Sequence, residues 1–180
     1  MRWITVIFCC LVALILQSAL MPRLDLWGVR ADLLIALVLF FALFAKPGDA
    51  FVIAWATGFT ADLLSLERLG FLALSYSVCA LLVISVREFL FCYRPATQFA
   101  VTLVVSLILR SCWIGYRSVM YPETASLAEM VGMDVVLGSV YTAALTPVVH
   151  GVLLRCRGMF GIAKPRYSHA GMPKVAHHHV

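Results

Sequence analysis

Apolar residues run along the chain in six long blocks, separated by short breaks that hold the charged residues, prolines and glycines. Blocks of this kind approach the roughly 20 residues with which an α-helix crosses about 30 Å of hydrocarbon. The pattern predicts helices over about Trp3–Met21, Ala31–Ala45, Ala50–Leu66, Leu69–Val86, Ala96–Tyr116 and Met130–Leu154. Pro22 stops the first block, and Lys46, Pro47, Gly48 and Asp49 supply a tight reversal between the second and third, so these two form a hairpin. The expected fold is all-α: a polytopic membrane bundle of about six transmembrane helices over residues 1–154. The basic tail, 155–180, has no apolar period and is expected to be disordered near anionic headgroups.

Composition supports the membrane reading. Hydrophobic residues make up 63% of the chain and charged residues 13%, with a mean hydropathy of +0.97; in soluble proteins about a quarter of residues are charged. The net charge is +5, but the basic residues lie between apolar blocks and form no patch, which argues against nucleic acid. Their distribution sets orientation, because Lys and Arg are retained in the cytoplasm. Six spans put Arg2, Lys46, Arg87, Arg94, Arg155, Arg157, Lys164, Arg166 and Lys174 on one side and Arg23, Arg30, Arg68, Arg110 and Arg117 towards the other. Both termini are therefore expected in the cytoplasm. Trp27, Trp113, Tyr116 and Tyr121 would form the outer aromatic belt. The first block is longer than a signal-peptide core and lacks an A-x-A cleavage pattern, so it reads as an uncleaved helix.

Polar residues inside the blocks are few and spaced. Ala50, Ala54, Gly58 and Asp62 recur every four residues, a small-residue stripe on which another helix can pack closely. The uncharged part of this block is too short to span, so Asp62 must enter the membrane. Thr102, Ser106 and Arg110 repeat the spacing in the fifth block, and Asp134, Gly138, Thr142, Thr146 and His150 in the sixth. With the orientation above, Gln17, Asp62, Arg110 and Asp134 gather in the outer half, with Arg110 expected to pair with Asp62 or Asp134. Such a cluster either holds helices together or lines a ligand site. Pro147 is expected to kink the sixth helix.

Catalytic and metal signatures are missing: no HExxH, SxxK, P-loop or nucleotide fingerprint occurs. The six cysteines form no CxxC pair and read as small hydrophobes. His177, His178 and His179 read as a flexible tail. The sequence thus points to a non-enzyme without cofactor or metal.

The second to fourth blocks resemble the family of the rod shape-determining protein MreD. The resemblance rests on Arg30, Ala31, Asp32, Leu33 and Leu34, on Gly58, Asp62, Leu63, Leu64 and Ser65, and on Leu69, Gly70, Phe71, Leu72, Ala73, Leu74 and Tyr76. These follow the family's G-x-x-x-D-L-L-S and L-G-x-x-A-L patterns, and Leu16, Gln17, Ser18 and Leu20 match L-Q-S-x-L. Ala31 replaces a proline common in the family. The resemblance implies a membrane component of the bacterial elongation machinery, controlling rod shape and lateral peptidoglycan synthesis. Its partners would be MreC, RodA, a class B penicillin-binding transpeptidase, membrane lipids and, indirectly, MreB. It also implies a fold similar to the S components of energy-coupling-factor transporters. Partner contact is expected near helices 1 and 2 and the outer loops. The competing reading is a transporter subunit that binds a small molecule in an outward pocket.

Overall fold

A computed structural model describes residues 2–19, 31–64, 70–89, 94–120 and 128–160. Among them are seven helices and no strand: α1 (Trp3–Ala19), α2 (Leu33–Phe44), α3 (Pro47–Leu64), α4 (Phe71–Val86), α5 (Pro95–Met120), α6 (Ala128–Arg155) and α7 (Arg157–Phe160). A 3₁₀ turn, Arg87–Phe89, follows α4. The six long helices correspond to the six apolar blocks. α3 and α5 begin at prolines, three residues and one residue earlier than the sequence reading put them, because proline's missing N–H and fixed φ suit the first helical position. α6 continues through Pro147 as one helix. Its basic end leads directly into α7, where the sequence suggests the start of an irregular tail.

α2 is the axis of the bundle. It is apolar all round, and every residue from Leu34 to Leu43 is buried, in keeping with an enclosed helix. α3, α4 and α6 pack around it together with α1 and α5. Its 12 residues cover only about 18 Å, whereas the 28 residues of α6 cover about 42 Å. Both ends of α2 therefore stop inside the bundle, and the polar backbone groups there need partners.

Those partners are side chains from other helices. At the C-terminal end, Arg87 Nη1 donates to the carbonyls of Ala42 (3.3 Å) and Ala45 (2.6 Å), placing a cation where the helix dipole is negative. Phe160 of α7 lies against Phe40 and Phe41, with ring centroids 6.3 and 5.6 Å apart, and packs this end with aromatic rings. The Arg2 amide donates to the Phe160 carbonyl at 3.2 Å, so the start of α1 and the end of α7 meet. An even number of long helices has this consequence.

The small-residue stripe of α3 is an interface. Ala50 and Ala54 are fully buried, and a Cβ at Gly58 would lie 2.6 Å from Ala73 Cα. Only glycine lets the α3 and α4 backbones meet there. The spaced polar faces of α5 and α6 also turn inward: Thr102, Ser106, Thr142, Thr146 and His150 are all buried.

The outer surface is the reverse. Ile4, Ile7, Phe8, Leu11 and Ile15 make an exposed stripe along α1, with Ile4 85% exposed, and Leu74, Val104, Val136 and Val148 are exposed elsewhere. Apolar outside and hydroxyl-bearing inside suits a hydrocarbon solvent, not water. α5 and α6 contain stretches, Pro95–Tyr116 and Val135–Arg155, long and apolar enough to cross a membrane; α1, α2 and α4 are shorter apolar helices.

Candidate functional site

At the end of the bundle opposite Phe160, the shortness of α2 leaves a cavity of about 470 Å³ above its N-terminus. All six long helices contribute to its wall. The volume lies within the roughly 300–1,000 Å³ typical of small-molecule sites.

The floor is the first turn of α2. Asp32 is its N-cap, with Oδ1 accepting from the amides of Leu34 (3.0 Å) and Ile35 (3.2 Å). Gln17 of α1 takes the next donor: its Oε1 accepts from Leu33 N at 2.8 Å while its Nε2 donates to the Ala31 carbonyl at 3.3 Å. Thr142 Oγ1 of α6 accepts from Asp32 N at 3.0 Å. The opening amides of α2 are thus matched by side chains from three helices. The Tyr76 hydroxyl donates to the second carboxylate oxygen of Asp32 at 3.2 Å, joining α4 to the same node.

Arg110 of α5 lines the cavity, half-buried and within electrostatic reach of Asp32 and Tyr76. Its guanidinium lies on the backbone of α6, where a Cβ at Gly138 would overlap it. Apart from Ser18 and Ser75, the rest of the wall is apolar or aromatic. Phe71 and Trp113 line the cavity and, with Tyr116, form a group of rings, Phe71 stacking on Tyr116 at 4.5 Å.

The residues singled out in the sequence are placed unequally. Gln17 and Arg110 face the cavity. Asp62, 1% exposed, turns its carboxylate to α4, accepting from the amides of Gly70 (3.0 Å), Leu72 (3.1 Å) and Ala73 (2.9 Å). It serves as the cap that Gly70, with no side chain, does not supply. Gly70 itself sits at φ 104°, a conformation that suits glycine. The Asp134 side chain and Ser65 lie outside the described residues, as do the polar connection after Pro22 and the terminal histidines. The carboxylate shown within electrostatic reach of Arg110 is that of Asp32, which the sequence marked only as a motif residue. Tyr76 also appeared there only in the motif; its position two turns into a helix otherwise rich in aliphatic residues was the available signal. Among the described residues no group of His, Cys, Asp and Glu could hold a metal.

The sequence model of a family described as rod shape-determining protein MreD matches residues 1–155. The chain belongs to the MreD family. The match covers every long helix, and the motif residues Asp32, Gly58, Asp62 and Gly70 fall at the helix caps and the tight α3–α4 contact described above. As an MreD-family member, the chain is a rod-shape-determining membrane protein of the Mre system, and the family is one of shape determination, not an enzyme family. No curated protein and no solved structure matches the chain.

Proposed function

We propose that this MreD-family chain is a non-catalytic link within the inner membrane of a rod-shaped bacterium. It crosses the bilayer six times with both termini in the cytoplasm, and its fold is that of an S component. It joins MreC to RodA and a class B transpeptidase and, through MreC, to MreB, and so directs lateral peptidoglycan synthesis. The family match over residues 1–155 is the observation that carries this reading. The meeting of Arg2 with Phe160 and the excess of basic residues at that end favour the orientation. The bundle extends through Phe160, which packs on Phe40 and Phe41, and the basic residues that follow in the sequence are attracted to the anionic headgroups of the inner leaflet. Within the helix 1 and 2 region, burial of α2 leaves only α1 to meet a partner, and its stripe of Ile4, Ile7, Phe8, Leu11 and Ile15 is the surface for MreC.

Depletion in the rod-shaped host is expected to give round cells, with MreC copurifying from cells that still express the protein. Unchanged rods and no MreC in the purified fraction would remove the reading. The cavity favours a second reading, a small-molecule-binding transporter subunit. Normal cell shape on depletion together with a vitamin retained through purification would select it.

A further inference from the structure

The hydrogen-bonding capacity left at the wall of the cavity above α2 indicates what the cavity takes. Arg110 is engaged within the protein and lies in electrostatic reach of Asp32, so these two charges offset one another. An ion of either sign would disturb that balance, whereas an uncharged ligand leaves it in place. Asp32 has acceptor capacity to spare. A carboxylate offers about four lone-pair sites; Oδ1 takes the amides of Leu34 and Ile35, while Oδ2 takes only the Tyr76 hydroxyl. Ser75, beside Tyr76 on α4, lines the same cavity, and its hydroxyl makes no hydrogen bond among the described residues. The other serines of α4 differ: Ser77 and Ser85 each donate to the carbonyl four residues back, at 2.7 and 2.9 Å. Phe71 and Trp113 complete this part of the wall, with ring centroids 5.5 Å apart and planes inclined by 48°. Tyr116 stacks on Phe71 at 4.5 Å without lining the cavity, and so steadies that ring.

We propose that the cavity binds one uncharged aromatic molecule that carries a hydroxyl or a ring N–H. Its ring lies against Phe71 and Trp113 and its donor reaches Asp32 Oδ2, with Ser75 supplying a second hydrogen bond. A hydrogen bond to a carboxylate is stronger than one between neutral groups, so the ligand's donor decides affinity while the aromatic wall selects its flat shape. The volume of about 470 Å³ admits one such molecule. The site rests on the cavity, and it holds whether the chain links MreC to the synthases or serves a transporter.

Equilibrium dialysis of the full-length protein in neutral detergent, against protein-free micelles, tests this with naphthol, its methyl ether, naphthoate and naphthylmethylammonium as probes. The expected result is one saturable naphthol site per chain, with the ether, which has no donor, and the two ions each about tenfold or more weaker. Asp32→Asn keeps an acceptor for the cap but puts a donor in place of Oδ2, and the preference for naphthol over its ether is lost. Trp113→Leu removes ring surface and weakens naphthol and ether alike, by about threefold to tenfold. Naphthol binding that does not saturate, equal binding of naphthol and ether by the parent, or an ion bound more tightly than naphthol overturns the proposal. So does an unchanged preference in a folded Asp32→Asn. If Asp32→Asn does not fold, Trp113→Leu decides: equal weakening of both probes supports the site, and unchanged binding overturns it. Cell shape is not part of this readout, so failure here leaves the link between MreC and the synthases standing, and round cells on depletion do not rescue the site.

Discussion

Asp62, near the end of α3, accepts a hydrogen bond from the amide of Ala73 in the first turn of α4 at 2.9 Å, and the same carboxylate also holds the amides of Gly70 and Leu72. An acid inside an apolar helix is thus the cap of its neighbour. In a buried setting this matters more than at a surface, because amides left without an acceptor retain their desolvation cost.

The prediction for Asp62 follows. Asp62→Ala strands three amides and is expected to lower stability by about 2–4 kcal/mol, combining a lost cap with lost bonds to a charged acceptor. Asp62→Asn keeps one carbonyl acceptor and is expected to lose less. Thermal unfolding of the two variants in detergent gives the order; an alanine variant as stable as the parent would show that the amides find other partners.

Gly58 gives a contrast within one helix. Its Cβ position is filled by the α4 backbone at Leu72 and Ala73, whereas nothing lies within 4 Å of the same position at Gly48. Gly58→Ala is predicted to cost about 1–3 kcal/mol by forcing α3 from α4. Gly48→Ala is predicted to be neutral or to stabilise by up to about 1 kcal/mol, since alanine is the better helix former. Equal melting temperatures for the two variants would rule out a close α3–α4 contact.

Much of this arrangement was legible in the sequence, and the part that was not has a common cause. The lengths of the apolar blocks revealed the helices, and the four-residue spacing of Ala50, Ala54 and Gly58 revealed a packing face, because both signals are local and periodic. Enclosure of α2 was written in its unbroken run from Leu33 to Ala45. The capping role of the carboxylates was not legible. The expectation for Asp62 was pairing with Arg110, with Asp134 as the alternative; that the amides of Gly70, Leu72 and Ala73 compensate Asp62 depends on the fold, which alone brings them to it. Asp32 was hidden for the same reason: Tyr76 and Thr142 reach it from two other helices, while Gln17 from a third holds its neighbours Ala31 and Leu33. Phe160 lay beyond the expected bundle boundary, its ring inconspicuous among glycines and basic residues.

Arg87 joins α2 to the end of α4 through the carbonyls of Ala42 and Ala45. Arg87→Ala removes a charged donor from a helix C-terminus and is expected to cost about 1.5–3 kcal/mol. Arg87→Lys retains the charge but not the fork, and is expected to fall between. Unfolding midpoints in detergent in the order Arg, Lys, Ala would bear this out; equal midpoints for all three would mean that water caps this end of α2 as well as the side chain does.

The bond between Tyr76 and Asp32 joins α4 to the start of α2 at the cavity floor, 3.2 Å from hydroxyl to carboxylate. A double-mutant cycle isolates it, because Asp32→Ala also loses the cap to Leu34 and Ile35, whereas Tyr76→Phe loses only the hydroxyl. Tyr76→Phe is predicted to cost about 1–3 kcal/mol in the parent and much less once Asp32 is alanine, giving a coupling of at least about 1 kcal/mol. The measurement is the midpoint of denaturant or thermal unfolding for the four proteins. Additive effects would show that the Tyr76 hydroxyl is satisfied without Asp32, and that α4 is held to the cavity floor by packing alone.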